Sequence, residues 1–68
     1  MKVYYKNNGM HEVIEYRGVI AIKAGTALQL LGEDARGNGI ADTAPLLQIV
    51  LDDGNTATFD ADNVTILP

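Results

Sequence analysis

The chain has 68 residues, no cysteine and a net charge of −4, which limits it to one domain without disulfides or thiolate metal sites. An apolar fraction of 47% and a charged fraction of 21% are typical of a globular domain and argue against disorder. The acidic balance disfavours a duplex-DNA partner, because a phosphate backbone requires clustered Lys and Arg side chains.

The first predicted element is a hairpin, with strands at residues 2–6 and 10–16 around the turn sequence NNG. Asn and Gly tolerate left-handed backbone, so this sequence favours a tight turn. A two-residue loop at Asn8 and Gly9 pairs apolar with apolar side chains and joins opposite charges, and it is therefore the predicted register. Its diagnostic pairs are Val3 with Ile14 and Lys2 with Glu15.

A third strand is predicted at Val19–Lys23, after Arg17 and Gly18 interrupt the preceding pattern. Within VIAIK, Val19 and Ala21 alternate with Ile20 and Ile22, which is typical of a strand. Ala24 and Gly25 are expected to turn the chain at the end of this strand.

The stretch TALQLL carries two competing signals. Thr26 and Gln29 have the spacing of a helical capping box, which favours a helix. However, Gly32 ends the run after five candidate helical positions, and an isolated helix of that length is marginal. We therefore predict a strand, with Leu28 and Leu30 facing the core.

Gly32–Pro45 is the one long segment predicted to be irregular, with three glycines and four charged residues. Unstructured loops of ~12 to 15 residues are uncommon in compact domains and are often functional or mobile. Ile40 is its single large apolar residue and is expected to anchor the segment to the body of the domain. Pro45 biases Ala44 towards extended backbone, which favours a strand from Leu46.

The most informative turn lies between predicted strands at 46–51 and 56–59. If Asp52, Asp53 and Gly54 form a three-residue loop with Gly54 left-handed, the apolar side chains of both strands gather on one face. A slip of one residue would turn that set towards water, so burial selects this register. The predicted inward set is Leu47, Ile49, Leu51, Ala57 and Phe59, and the opposite set includes Leu46 and Val50.

Six or seven short strands with glycine-rich turns indicate a single all-β domain over residues 1–68, a small antiparallel barrel of five to seven strands. Residues 13–67 resemble the Src homology three family. The matching features are AIKAGTALQLL (21–31) as diverging turn and second strand, GEDARGNGIADTA (32–44) as variable loop, LLQIVLDDGNTATF (46–59) as distal hairpin, DADN (60–63) as 3₁₀ turn and VTIL (64–67) as closing strand.

This resemblance implies a Src homology three-like barrel, in which the N-terminal hairpin is an addition. Family members that bind proline-rich peptides use a groove of Tyr, Trp and Pro. Here there is no Trp, no Pro directly ahead of Asn63, and Val64 stands where the family has Tyr. No peptide-binding residue is therefore carried over to this chain.

Residue types that support catalysis or metal binding are scarce. His11 is the only histidine, and the absence of Ser and Cys excludes covalent hydrolysis of the usual kind, so His11 is interpreted as a surface residue. Two clusters offer oxygen ligands for a metal. The first is Asp52, Asp53 and Asn55, and the second is Asp60, Asp62 and Asn63. Neither matches the twelve-residue calcium loop, and Asp and Asn commonly cap turns. We expect no enzyme, metal or cofactor.

One face of the first hairpin combines Tyr4 with Lys2 and Lys6, to which Arg17 can add. Aromatic and basic side chains together stack on and neutralise single-stranded nucleic acid. Tyr is also an ordinary strand residue and is frequent at protein interfaces. Because the cations are few, protein contact is the preferred interpretation and nucleic-acid binding is the alternative.

The predicted function is a non-enzymatic protein-interaction or assembly module, with a contact surface drawn from the first hairpin and the loop Gly32–Pro45. Self-association is one way to cover the sheet face of Leu46 and Val50. The candidate surface comprises Lys2, Tyr4, Lys6, Arg17, Arg36 and Ile40. No apolar run approaches the ~18 residues of a membrane span, and Met1 leads into a strand-like stretch rather than a signal peptide. A cytoplasmic location is the default expectation.

Overall fold

The computed structural model describes residues 1–68 and contains six strands, two short helices and a 3₁₀ turn. In chain order these are β1 (Lys2–Asn7), β2 (Met10–Glu15), β3 (Val19–Thr26), α1 (Ala27–Leu31), α2 (Asp34–Gly37), β4 (Pro45–Leu51), β5 (Thr56–Asp60), the 3₁₀ turn (Ala61–Asn63) and β6 (Val64–Leu67). The strands form two antiparallel sheets, sheet A in the order β2-β1-β6 and sheet B in the order β3-β4-β5. The predicted small all-β domain is confirmed. Neither helix has the length and apolar character needed to cross a membrane.

Both predicted hairpin registers are confirmed. In the first hairpin Val3 lies opposite Ile14, and the two loop residues Asn8 and Gly9 both have positive φ. This is the backbone that a two-residue turn between right-twisted strands requires.

The second hairpin has the expected three-residue loop. Leu47 lies opposite Phe59, and the backbone N–H of Leu51 donates to the carbonyl of Asn55 at 2.9 Å. Gly54 has φ +89°, the left-handed conformation that the loop needs. The side chain of Asp53 accepts a 2.9 Å hydrogen bond from the backbone N–H of Asn55, which secures the turn.

The main core lies between the two sheets. Val3 from sheet A and Ile49 from sheet B are fully buried, and Phe59 is 8% exposed. The Phe59 ring lies beside Tyr5, with ring centroids 5.2 Å apart, and beside Tyr16, at 6.2 Å. Tilted and edge-on aromatic pairs of this kind add about 0.5–1.5 kcal/mol beyond the burial of their area. Phe59 therefore joins the two sheets.

The strand predicted for TALQLL is wrong, because this stretch is helix α1. Strand β3 continues through the predicted turn at Ala24 and Gly25, and Thr26 then caps the helix. The backbone N–H of Gln29 donates to Thr26 Oγ1 at 3.3 Å, while the Gln29 side chain accepts from the Thr26 N–H at 2.9 Å. Leu28, predicted to face inward, is 47% exposed.

A second small cluster explains why such a short helix is stable. Ala27 of α1, Ala35 of α2 and Leu46 of β4 are buried together. In addition, the Ala27 N–H donates to the carbonyl of Ala44 at 2.9 Å, and the Leu28 N–H donates to the carbonyl of Asp42 at 3.1 Å. Two of the otherwise unpaired donors at the helix start are satisfied in this way.

This cluster also corrects two predictions about the following segment. Residues 32–45 are not uniformly irregular, because they contain α2, and Leu46 is covered by the chain's own helices rather than awaiting a partner. Val50, on the same sheet face, is half-buried. The predicted anchoring role of Ile40 is confirmed, since it packs against the buried cluster.

Candidate interaction surfaces

The outer face of sheet A carries the aromatic and basic residues singled out from the sequence. Lys2, Tyr4 and Lys6 alternate with the inward-facing Val3 along β1, so they share this face. His11 lies opposite Lys6, and its Nδ1 is hydrogen-bonded to the hydroxyl of Tyr4. The two rings have centroids 5.7 Å apart. Sequence reasoning treated His11 as an isolated surface residue, although the two-residue loop already places it beside this group.

Of the other three candidate residues, Arg17 lies beside Glu15, which is opposite Lys2, whereas Arg36 and Ile40 belong to the helical side of the domain. Arg17 is exposed after β2, with its Nε 3.6 Å from a carboxylate oxygen of Glu15. Arg36 lies on α2 and donates from Nη2 and Nε to Asp42 at 2.6 and 3.1 Å. These hydrogen bonds favour the charged form and raise the pKa of Arg36. Ile40 packs into the second cluster.

Strand β3 presents a free edge with exposed apolar side chains. It is hydrogen-bonded only to β4, so its outer edge has no strand partner. Ile20 and Ile22 on this strand are 67% and 46% exposed. The register shifts between Val19 and Ala21, which breaks the simple alternation of VIAIK. Sequence reasoning missed this surface because alternation alone does not reveal a bulge.

The domain as a whole is more open than is usual for its size. Its accessible surface is 4599 Å², against about 4,200 Å² expected for a monomer of this mass. Its radius of gyration is 12.1 Å, against about 10.9 Å for a compact domain of this length. The molecule is 31 × 30 × 16 Å, so it is thin in one direction, and only six of its 68 residues are buried.

A cavity of about 290 Å³ opens where the two core clusters meet, between sheet B on one side and the end of α1 and residues 40–44 on the other. We call it the seam cavity. Its lining residues are Leu31, Ile40, Ala44, Leu46, Thr58, Phe59 and Asp60. Leu46 and Phe59 belong to the two different clusters, so the cavity walls are held by buried side chains.

The turn carboxylates are engaged locally. Asp60 accepts hydrogen bonds from the backbone N–H of Asp62 at 3.2 Å and from the Asn63 side chain at 3.4 Å. Asp53 binds the backbone and side chain of Asn55 in the same manner. No group of three or more His, Asp or Glu side chains is arranged to hold a metal ion. The carboxylates therefore stabilise turns, as their spacing predicts.

Neither a protein-family model, nor a curated protein, nor a solved structure matches this chain.

Proposed function

We propose that this protein is a non-enzymatic assembly module that associates with a second copy of itself through the β3 edge, on a Src homology three-like barrel. The barrel assignment is supported by the connected order β3-β4-β5, 3₁₀ turn and β6, with β6 returning to pair with β1. The observation that carries the assembly is the exposed apolar edge at Ile20 and Ile22. An uncovered edge of this kind is a template for a further strand.

The charge pattern of β3 favours a second copy as its partner. Lys23 is the only charged residue of this strand. Antiparallel pairing centred on Ile22 places the two copies of Ile22 opposite each other and sets Lys23 against Ala21, so no like charges meet. Centring on Lys23 instead would oppose two cations, which is destabilising. An eight-residue strand spans about 27 Å, long enough for a continuous ladder.

The openness of the monomer fits the same assembly. Its surface exceeds the value expected for its mass, and a second copy would cover part of that excess. A single pair of edge strands buries less than the roughly 1,200 Å² of a standard stable interface. We therefore expect a weak dimer, whose population rises with protein concentration through the micromolar range.

Sedimentation equilibrium over the micromolar to millimolar range tests this proposal. The wild-type protein should show a concentration-dependent rise from monomer to dimer mass. Ile22→Lys should remain monomeric, because it opposes two cations at the centre of the interface. Val13→Lys is the matched control, since Val13 is also exposed and lies on the β2 edge, and it should dimerise like wild type. A monomeric wild-type protein throughout the range, or equal effects of both variants, would overturn the proposal.

The alternative function is binding of single-stranded nucleic acid on the outer face of sheet A. The observation that favours it is the grouping of Tyr4, Lys2, Lys6 and His11 on that face. Base stacking on an aromatic ring and phosphate neutralisation by Lys are the usual means of such binding. Against it, Lys2 lies opposite Glu15, and the whole chain is acidic.

Titration with a short oligothymidylate at low salt separates the two functions. Binding on this face would shift the amide resonances of residues 2–6, and Tyr4→Ala would weaken it more than Thr65→Ala on the neighbouring strand. If these amides do not move, the nucleic-acid alternative is eliminated.

A further inference from the structure

We propose that the seam cavity binds a large apolar side chain of a partner polypeptide that carries Lys or Arg on either side of it. This site is distinct from the β3 edge, and the inference does not depend on self-assembly. Ile40, Leu46 and Phe59 supply its apolar walls, and Thr58 and Asp60 supply its polar rim.

The size of the cavity indicates what it holds. Its volume of about 290 Å³ lies at the lower limit of ligand pockets, which are roughly 300–1,000 Å³. That space suits one side chain better than a whole cofactor. The walls are already in place, because Leu46 is 6% exposed and belongs to a packed cluster with α1 and α2. An anchor side chain thus enters a preformed site, which lowers the entropic cost of binding.

The charge around the cavity indicates what flanks that anchor. Asp60 lies on its rim, and further acids that are not paired with a cation lie close to the lining residues along the chain, at Glu33, Asp34 and Asp62. The only cation in residues 24–68 is Arg36, and its guanidinium is already bound to Asp42. Positive charge must therefore come from the partner, and the local potential favours a basic segment over an acidic one.

The rim carboxylate has room for such a contact. Asp60 uses one oxygen for the backbone N–H of Asp62 and the other for the side chain of Asn63. A carboxylate offers about four acceptor positions, so each oxygen retains one for an incoming ammonium or guanidinium group. Asp60 is exposed, so a flanking Lys reaches it without being buried.

Three capped pentapeptides serve as probes: Gly-Lys-Leu-Lys-Gly, Gly-Glu-Leu-Glu-Gly and Gly-Lys-Ala-Lys-Gly. Amide resonances of the wild-type protein are recorded during titration with each. The Lys-Leu-Lys peptide should shift the residues that line the seam cavity, with an affinity at least threefold higher than that of either other peptide. Equal binding of the Leu and Ala peptides would overturn the anchor, and equal binding of the Lys and Glu peptides would overturn the charge preference.

Three variants test the location of the site and its charge preference. Ala44→Leu fills the cavity and should abolish binding, whereas Ala41→Leu, on an exposed residue of the same segment, should leave it unchanged. Asp60→Asn retains a side chain that can cap the turn and should reduce the ratio of Lys-peptide to Glu-peptide affinity. If Ala44→Leu proves unfolded, the peptide comparison on the wild-type chain still decides. Shifts confined to the β3 edge or to sheet A would overturn the proposal.

Discussion

The carbonyl of Gly18 accepts a 2.8 Å hydrogen bond from the backbone N–H of Asp52, which joins the start of β3 to the β4–β5 turn. The two residues also approach closely through the side chain of Asp52. A Cβ added at Gly18 would lie 2.5 Å from Asp52 Oδ1 and 2.6 Å from Cγ. Gly18 has φ +72°, so both its backbone and its surroundings favour the absence of a side chain.

Gly18→Ala is therefore expected to destabilise slightly more than Gly54→Ala, by the small cost of rotating the exposed Asp52 side chain away from the new Cβ. Both glycines have positive φ, which costs an alanine about 1–2 kcal/mol, but an added Cβ at Gly54 meets nothing within 4 Å. Urea denaturation of both variants measures the difference. When Asp52→Ala is added to each of the two glycine variants, the difference in their stability should disappear. A difference that remains would show that the Asp52 side chain does not cause it.

Gly54→Val should cost about 1 kcal/mol or more, because a β-branched residue is strained at φ +89°. The side chain itself would point into open space, so the loss reports the backbone alone. Gly54→Asn is the control, since Asn tolerates left-handed backbone, and it should lose less. Equal melting temperatures for wild type and Gly54→Val would contradict the three-residue loop.

Phe59→Ala should lower the free energy of unfolding by about 3–5 kcal/mol, because it removes the ring that joins the two sheets. A domain of this length has only about 3–10 kcal/mol in total, so the variant is expected to be partly or fully unfolded. Phe59→Leu should show a smaller loss that can be measured by denaturation. Thr56→Ala, an exposed residue of the same strand, should change stability by no more than about 0.5 kcal/mol.

Thr26→Ala should cost about 1 kcal/mol. It removes the hydroxyl that accepts from the Gln29 backbone N–H in the capping box of α1. Thr26→Ser retains the hydroxyl and should remain close to wild type. Amide exchange separates a local from a global effect, because loss of the cap should speed exchange first at Gln29. Unchanged exchange in Thr26→Ala would show that the helix is held by its tertiary contacts alone.

Local rules for turns and cross-strand pairs were sufficient to predict the register of both hairpins. The loop at Asp52, Asp53 and Gly54 was predictable because an odd loop count puts Leu47 and Phe59 on one face, and the structure has that register. In α1, by contrast, the capping box correctly indicated a helix, but the short length of the segment favoured the prediction of a strand. A five-residue helix is marginal only when isolated, whereas Ala27 is buried and its N–H donates to the carbonyl of Ala44, seventeen positions further along the chain.

Of the candidate surfaces, one was predictable from local sequence and two were not. Lys2, Tyr4 and Lys6 were placed on one face by the alternation of a strand, which is a local property. The exposed edge at Ile20 and Ile22 and the seam cavity were not predicted from sequence. Both depend on which strands are left without neighbours and on how two clusters meet, and neither is encoded in the spacing of a single segment.

The amino-acid sequence by itself determined the all-β class, two hairpin registers and the aromatic and basic face, because turn chemistry and side-chain parity act over a few residues. Only the tertiary structure decided that TALQLL is helical, that Leu46 is covered internally and that β3 keeps a free apolar edge. These outcomes depend on the burial of distant segments against one another. The free energy of that burial can outweigh the local conformational preference of a segment, and the sequence of the segment alone does not reveal it.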